Sequence, residues 1–218
     1  MNLSRREALI GALGTAMLWS TPGWAQEVPA QTAPTPTQPG TAPTPPASVE
    51  VISGYSVNWQ DGPKTPALVA SLEAQIALIT ALNIKPEAQS FFAAQPITVD
   101  LAPDTGTRVS PTGVTFGRKI WPDDNPVLLH EMLHRYHLLM LPNGYDNPQI
   151  VDFYNAAKAA GAYPAHEYMF RDCREFFAMC GSVTLYGKAA RQPLIRASVE
   201  KNLPDVYAWF VKEFALVI

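Results

Sequence analysis

Apolar residues recur along the chain at two spacings, and the switches between them mark out the elements. Val51, Tyr55, Val57 and Trp59 alternate weakly, which predicts a short strand or extended lead-in over Val49–Trp59. Leu68, Leu72, Ile76, Ile79 and Leu82 are three and four apart, which predicts an amphipathic helix over Pro66–Leu82 with proline in its first turn. Pro86–Ala94 reads as a shorter helix. Ile97–Leu101 alternates and is rich in β-branched residues, so it reads as a strand, and Pro103–Gly106 reads as a turn. Val114, Phe116 and Ile120 fall at even spacing, so Val109–Ile120 is a second strand or hairpin. Val127–Leu141 is the strongest helix. Asp123-Asp124-Asn125 offers capping side chains, Pro126 fits the first helical position, and Pro142-Asn143-Gly144 ends it. Further helices follow over Pro148–Ala160, from about His166 or Arg171 to Tyr186, and over Pro193–Asn202 and Pro204–Leu216. The pattern is that of an α+β domain, mostly helical with a small sheet.

The first 48 residues lack such a pattern. Met1–Ala25 has Arg5 and Arg6 ahead of a mildly apolar run and small residues at Gly23 and Ala25, as an export signal does. Ser4-Arg5-Arg6-Glu7-Ala8-Leu9 resembles the twin-arginine motif, so the expected location is periplasmic or secreted. The apolar run is shorter than the roughly 20 residues a bilayer requires, and no other stretch approaches that length. Gln26–Ser48 is Pro-, Thr-, Ala- and Gln-rich, and 8 of the chain's 21 prolines lie between Pro22 and Pro46. Such a segment cannot offset its ordering entropy by burial and reads as a linker. The folded part is expected at residues 49–218, one domain.

Composition removes several function classes. A net charge of −3 gives no basic footprint for nucleic acid. Loss of Arg5, Arg6 and Glu7 with the signal takes that charge to −4. Two cysteines, Cys173 and Cys180, make neither a disulfide scaffold nor a four-thiolate zinc site. Seven apart on one helix, they lie about 10 Å apart and cannot bridge.

The candidate chemistry is concentrated in two helices. Three of the four histidines, His130, His134 and His137, fall within eight residues. His130-Glu131-Met132-Leu133-His134 is an HExxH motif. Four helical residues separate two imidazoles by about 40° and about 6 Å of rise, which lets both reach one Zn²⁺. Glu131, at the edge of that face, is placed as a general base that does not ligate the metal. His137 lies about 10 Å from His130 along the axis and cannot join both others on one ion, so it reads as a packing residue. Position 140, where a metzincin has its third histidine, is Met140.

The third ligand is expected to be Glu175, within Arg174-Glu175-Phe176-Phe177-Ala178. A carboxylate flanked by bulky apolar side chains is costly unless it is paired or metal-bound. Phe176 and Phe177 read as core. Tyr168, seven residues earlier, would share a face with Glu175 on one continuous helix and offer a phenolic donor to an oxyanion.

Together these residues resemble the gluzincin metallopeptidases, with the closest likeness to the anthrax lethal factor-type catalytic domain, over about Pro126–Gly187. The resemblance implies a zincin-like fold with a mixed sheet. It implies His130, His134 and Glu175 as zinc ligands, Glu131 as base and Tyr168 as transition-state stabiliser. It further implies that an edge strand within Val109–Ile120 binds an extended peptide or protein substrate by strand addition. Met179 stands where those families carry an acidic residue, which leaves Asp172 as the candidate for orienting an imidazole. The expected function is a zinc-dependent peptidase. The alternatives are a zinc-site protein that binds peptides without cleaving them and a zinc hydrolase of a non-peptide amide.

Overall fold

The structure, a computed structural model, describes residues 48–60, 62–103, 105–191 and 194–217. The export signal and almost all of the expected linker lie outside the described residues, as does the expected helix start at Pro193. No described helix is long and apolar enough to cross a membrane.

The weakly alternating segment at the start is a hairpin, not a single strand. Strands β1 (Ser48–Ile52) and β2 (Tyr55–Gln60) pair antiparallel. Ser53 and Gly54 between them both take positive φ, 47° and 86°, the turn that matches strand twist. Helices α1 (Pro66–Thr80) and α2 (Pro86–Ala93) then carry the chain to β3 (Ile97–Asp100), parallel to β2. A second hairpin, β4 (Arg108–Ser110) and β5 (Gly113–Gly117), places β5 parallel to β3 and leaves β4 at the sheet edge. The sheet order is β1-β2-β3-β5-β4, with both parallel and antiparallel pairs. The fold is therefore α+β with a small mixed sheet.

Helix α3 (Val127–Met140) is buried from Val127 to His137. The expected cap at Asp123–Asn125 does not form. Pro126 occupies the N-cap position with no side-chain cap. The α1 side chain Gln75 takes over: its Oε1 accepts from Leu128 N–H at 3.1 Å and its Nε2 donates to Asn125 O at 2.6 Å. The helix ends at Leu141, which is extended as expected for a residue before proline.

Helix α4 (Pro148–Ala159) leads to α5 (Cys173–Tyr186), which lies against α3. Gly181 sits at that crossing, where a Cβ would come within 2.9 Å of Leu133 and 3.0 Å of Phe210. Helices α6 (Arg196–Asn202) and α7 (Pro204–Phe214) close the fold. Phe177, Phe210, Phe214, Phe92 and Tyr136 form a continuous aromatic core between α2, α3, α5 and α7. Phe176 and Phe177 are buried in this core region, and Cys173 and Cys180 are free thiols.

Candidate active site

One face of α3 and the first turn of α5 meet at the floor of a cleft of about 580 Å³. His130 and His134 project from α3, with their rings edge to face at 4.8 Å. Glu175 reaches them from α5. His130 Nε2 lies 3.1 Å from Glu175 Oε2 and 3.2 Å from His134 Nε2, and the remaining edge of the triangle, His134 Nε2 to Glu175 Oε2, is 3.6 Å.

Hydrogen bonding alone does not account for this convergence, because one imidazole N–H at His130 Nε2 can serve only one of its two neighbours. A tetrahedral ion with ligands at about 2.0–2.2 Å requires donor atoms about 3.3 Å apart. The triangle fits that requirement, and its two nitrogens and one carboxylate oxygen are donors that suit zinc. His130 Nδ1 is buried with no partner among the described residues.

The local sequence explains how Glu175 is held. Asp172 is the N-cap of α5, and its Oδ1 accepts from the N–H groups of Arg174 at 2.9 Å and Glu175 at 3.0 Å. Its Oδ2 pairs with Arg174 at 3.1 Å. Asp172 is thus occupied with the helix start and does not orient an imidazole. The cap also breaks the continuous helix expected through Tyr168, which lies instead on a 3₁₀ turn, Tyr168–Phe170. That turn is tied down by Tyr154 Oη, which donates to Phe170 O at 3.0 Å. Tyr168 nevertheless reaches Glu175: its hydroxyl donates to Oε1 at 3.1 Å.

Burial and charge set the protonation states. Burial lowers the basicity of the His130 imidazole, against the pull of Glu175. Burial would raise Glu175, but the hydrogen bond to His130 and the nearby His134 imidazole outweigh it and hold the carboxyl well below its ordinary range. Burial pushes the Glu131 carboxyl up to about 7, with His134 acting in the opposite direction. Glu131 therefore differs from Glu175 in character: one is a carboxylate held charged, the other a group poised to exchange a proton near neutral pH.

The other walls come from elsewhere in the chain. Gly106, Thr107, Arg108 and Val109 bring the edge strand β4 and its approach to one side of the cleft. Tyr145, Arg171, Arg174 and Arg191 also line it, and no motif gives any of them a role at the site. His137 lies apart, stacked on Phe177 at 4.4 Å and edge-on to Tyr145 at 5.3 Å. His166 is exposed in a turn.

No family model matches the chain, and no curated protein matches it. Among solved structures, the Pro-Pro endopeptidase PPEP-2 from Paenibacillus alvei matches with a TM-score of 0.51 at 17% identity, over 72% of this chain and 96% of that one. At that identity the similarity is one of fold, and the α+β architecture with its mixed sheet is zincin-like.

Proposed function

We propose that the chain is an exported zinc-dependent metallopeptidase of the gluzincin type. The observation that carries this is the triangle of His130 Nε2, His134 Nε2 and Glu175 Oε2, with Glu131 and Tyr168 in the same cleft. Zinc at such a site supplies a Lewis acid that polarises a carbonyl and lowers the pKa of water. His130, His134 and Glu175 would hold it. Glu131 takes the proton of the attacking water and returns it to the leaving amine, a task suited to a carboxyl pushed up to about 7. Tyr168 is the hydroxyl donor beside the ligands and serves the developing oxyanion. The position of β4 at the sheet edge beside the cleft supports binding of an extended peptide there. The assignment to the lethal factor-type branch rests on the motif residues Glu175 and Tyr168, and export rests on the Arg5-Arg6 segment.

Peptides containing Pro-Pro bonds are the first substrates to assay, because the structural neighbour is a Pro-Pro endopeptidase. The test is a peptide-library digest by the zinc-loaded chain and its Glu131→Gln variant. The wild type should cleave, and the variant should retain about one zinc per chain and not cleave. A zinc-replete wild type that cleaves nothing in a broad library would refute the peptidase reading in favour of a binding protein.

A further inference from the structure

We infer that the cleft selects substrates bearing a carboxylate close to the scissile bond, and that Arg171 and Arg191 read it. This rests on the peptidase reading above and names its substrate class. Five cations line the cleft, Arg108, Lys119, Arg171, Arg174 and Arg191, in a chain whose net charge is −3. Arg174 is paired with Asp172 at 3.1 Å, and Arg108 lies 3.7 Å from Asp100. Of the acidic side chains that line the same cleft, Asp172 is committed to the start of α5 and Glu175 to the two histidines, and Glu131 makes no ion pair among the described residues. Among the described residues, Lys119, Arg171 and Arg191 have no carboxylate partner within ion-pair distance; Lys119 lies instead over the Trp121 ring, 4.0 Å from its centroid.

Both guanidinium groups gather on the ring of Tyr168. That of Arg191 lies 3.9 Å from the ring centroid; that of Arg171 lies 5.9 Å away and donates to the Tyr168 hydroxyl at 3.3 Å. A guanidinium held by an aromatic face is oriented while its N–H edge stays available, the geometry that suits bidentate carboxylate recognition. Two like charges on one ring repel each other, and an anion between them removes that cost.

The backbone beside Arg191 is fixed as well. Asn125 Nδ2 donates to Ala190 O at 3.2 Å, and Lys188 pairs with Asp124, so the segment bearing Arg191 is tied to the start of the HExxH helix. The Tyr168 hydroxyl is 3.1 Å from Glu175 Oε1, so a carboxylate held by this pair lies on the same side of the cleft as the proposed zinc ligands. Paired arginines of this kind are a recurrent means of recognising acidic motifs. The carboxylate can be an Asp or Glu side chain or the free C-terminus of the substrate.

The experiment measures both cleavage by the zinc-loaded wild type and binding, by fluorescence anisotropy, to the zinc-loaded Glu131→Gln chain. The probes are peptides matched except for internal Glu or Gln, each with a free or amidated C-terminus. At least about a tenfold preference for the charged member of a pair is expected. It should fall to within about twofold in Arg171→Gln/Arg191→Gln, and Arg191→Glu should favour a Lys-containing peptide, with zinc content reporting that each variant is folded. A preference confined to Glu identifies a side-chain reader, and one confined to the free C-terminus identifies an exopeptidase-type reader. Absence of charge preference in the wild type, or its survival in the double variant, would overturn the inference. Cleavage without preference would leave the peptidase reading intact, whereas preferential binding without cleavage would remove that reading and leave this one.

Discussion

Tyr168 donates its hydrogen bond to Glu175 although the two residues stand on different elements. Tyr168 lies on a 3₁₀ turn and Glu175 in the first turn of α5, with the Asp172 cap between them. Glu175 thus has its two oxygens divided. Oε2 faces the histidines and Oε1 receives the phenol, so the tyrosine is held beside the proposed zinc without occupying a ligand position.

Replacement Tyr168→Phe separates two roles for that hydroxyl. If it serves the oxyanion, kcat falls by about 100- to 1,000-fold while KM and zinc content change little. If it only braces Glu175, zinc affinity falls instead and zinc-saturated activity is retained. Steady-state kinetics alongside zinc titration distinguish the two, and the first outcome is expected.

Glu175→Gln should lower zinc affinity by more than the roughly 10- to 100-fold that accompanies loss of an outer partner. Asp172→Ala should cost about 1 kcal/mol of stability through the lost cap, and also weaken zinc binding because Glu175 N–H loses its acceptor. Asp172→Asn, which keeps a capping oxygen, should restore most of both. Competition titration with a chromogenic chelator and thermal melts measure the two effects. Equal zinc affinity in Asp172→Ala and wild type would show that the cap does not position Glu175.

What was legible in the sequence was what local rules encode. The sequence placed α1, α3 and α4 to within one or two residues: the buried face of α1 repeats at helical spacing, and prolines and glycines bound α3 and α4. The HExxH spacing brings two imidazoles together on any regular helix. Non-local relations were not legible. The cap of α3 comes from Gln75, 53 positions before the Leu128 N–H it serves, and no local pattern announces it. The start of the α5 segment is open between His166 and Arg171 in the sequence, and the Asp172 cap places it beside the second. Arg171 and Arg191 carry no periodic signal, and only the packing of two separate loops brings them to one ring.

Gly181 controls the distance between the two helices that carry the site. A Cβ there would come within 2.9 Å of Leu133 Cδ1 and 3.0 Å of the Phe210 ring, both inside a packed core. Gly181→Val should destabilise the fold by about 1–3 kcal/mol through overpacking. By pushing α5 off α3 it should also reduce zinc affinity, which denaturant melts and chelator competition on the same preparation would show. Unchanged zinc affinity alongside lowered stability would mean that the first turn of α5 is set by its cap and not by the crossing.

His137 sets a pH dependence of stability that is separate from the zinc ligands. It is fully buried, stacked on Phe177, with neither ring nitrogen partnered among the described residues. Burial pushes its pKa down to about 4, with the charges of His134 and Arg174 acting in the same direction. The unfolded chain, with an ordinary histidine near 6.5, therefore binds more protons than the folded chain between those two values. Stability is full above about pH 6.5 and is lost as the pH falls through that window. His137→Phe preserves the stacking, removes the titrating group and places carbon where two nitrogens lacked partners. The variant should be more stable than wild type at pH 5 by on the order of 1–2 kcal/mol, with a smaller gain at pH 8. Denaturant melts of the zinc-free chain from pH 4.5 to 8 measure the slope. An acid limb as steep in His137→Phe as in wild type would assign the loss to His130, whose basicity is also lowered by burial.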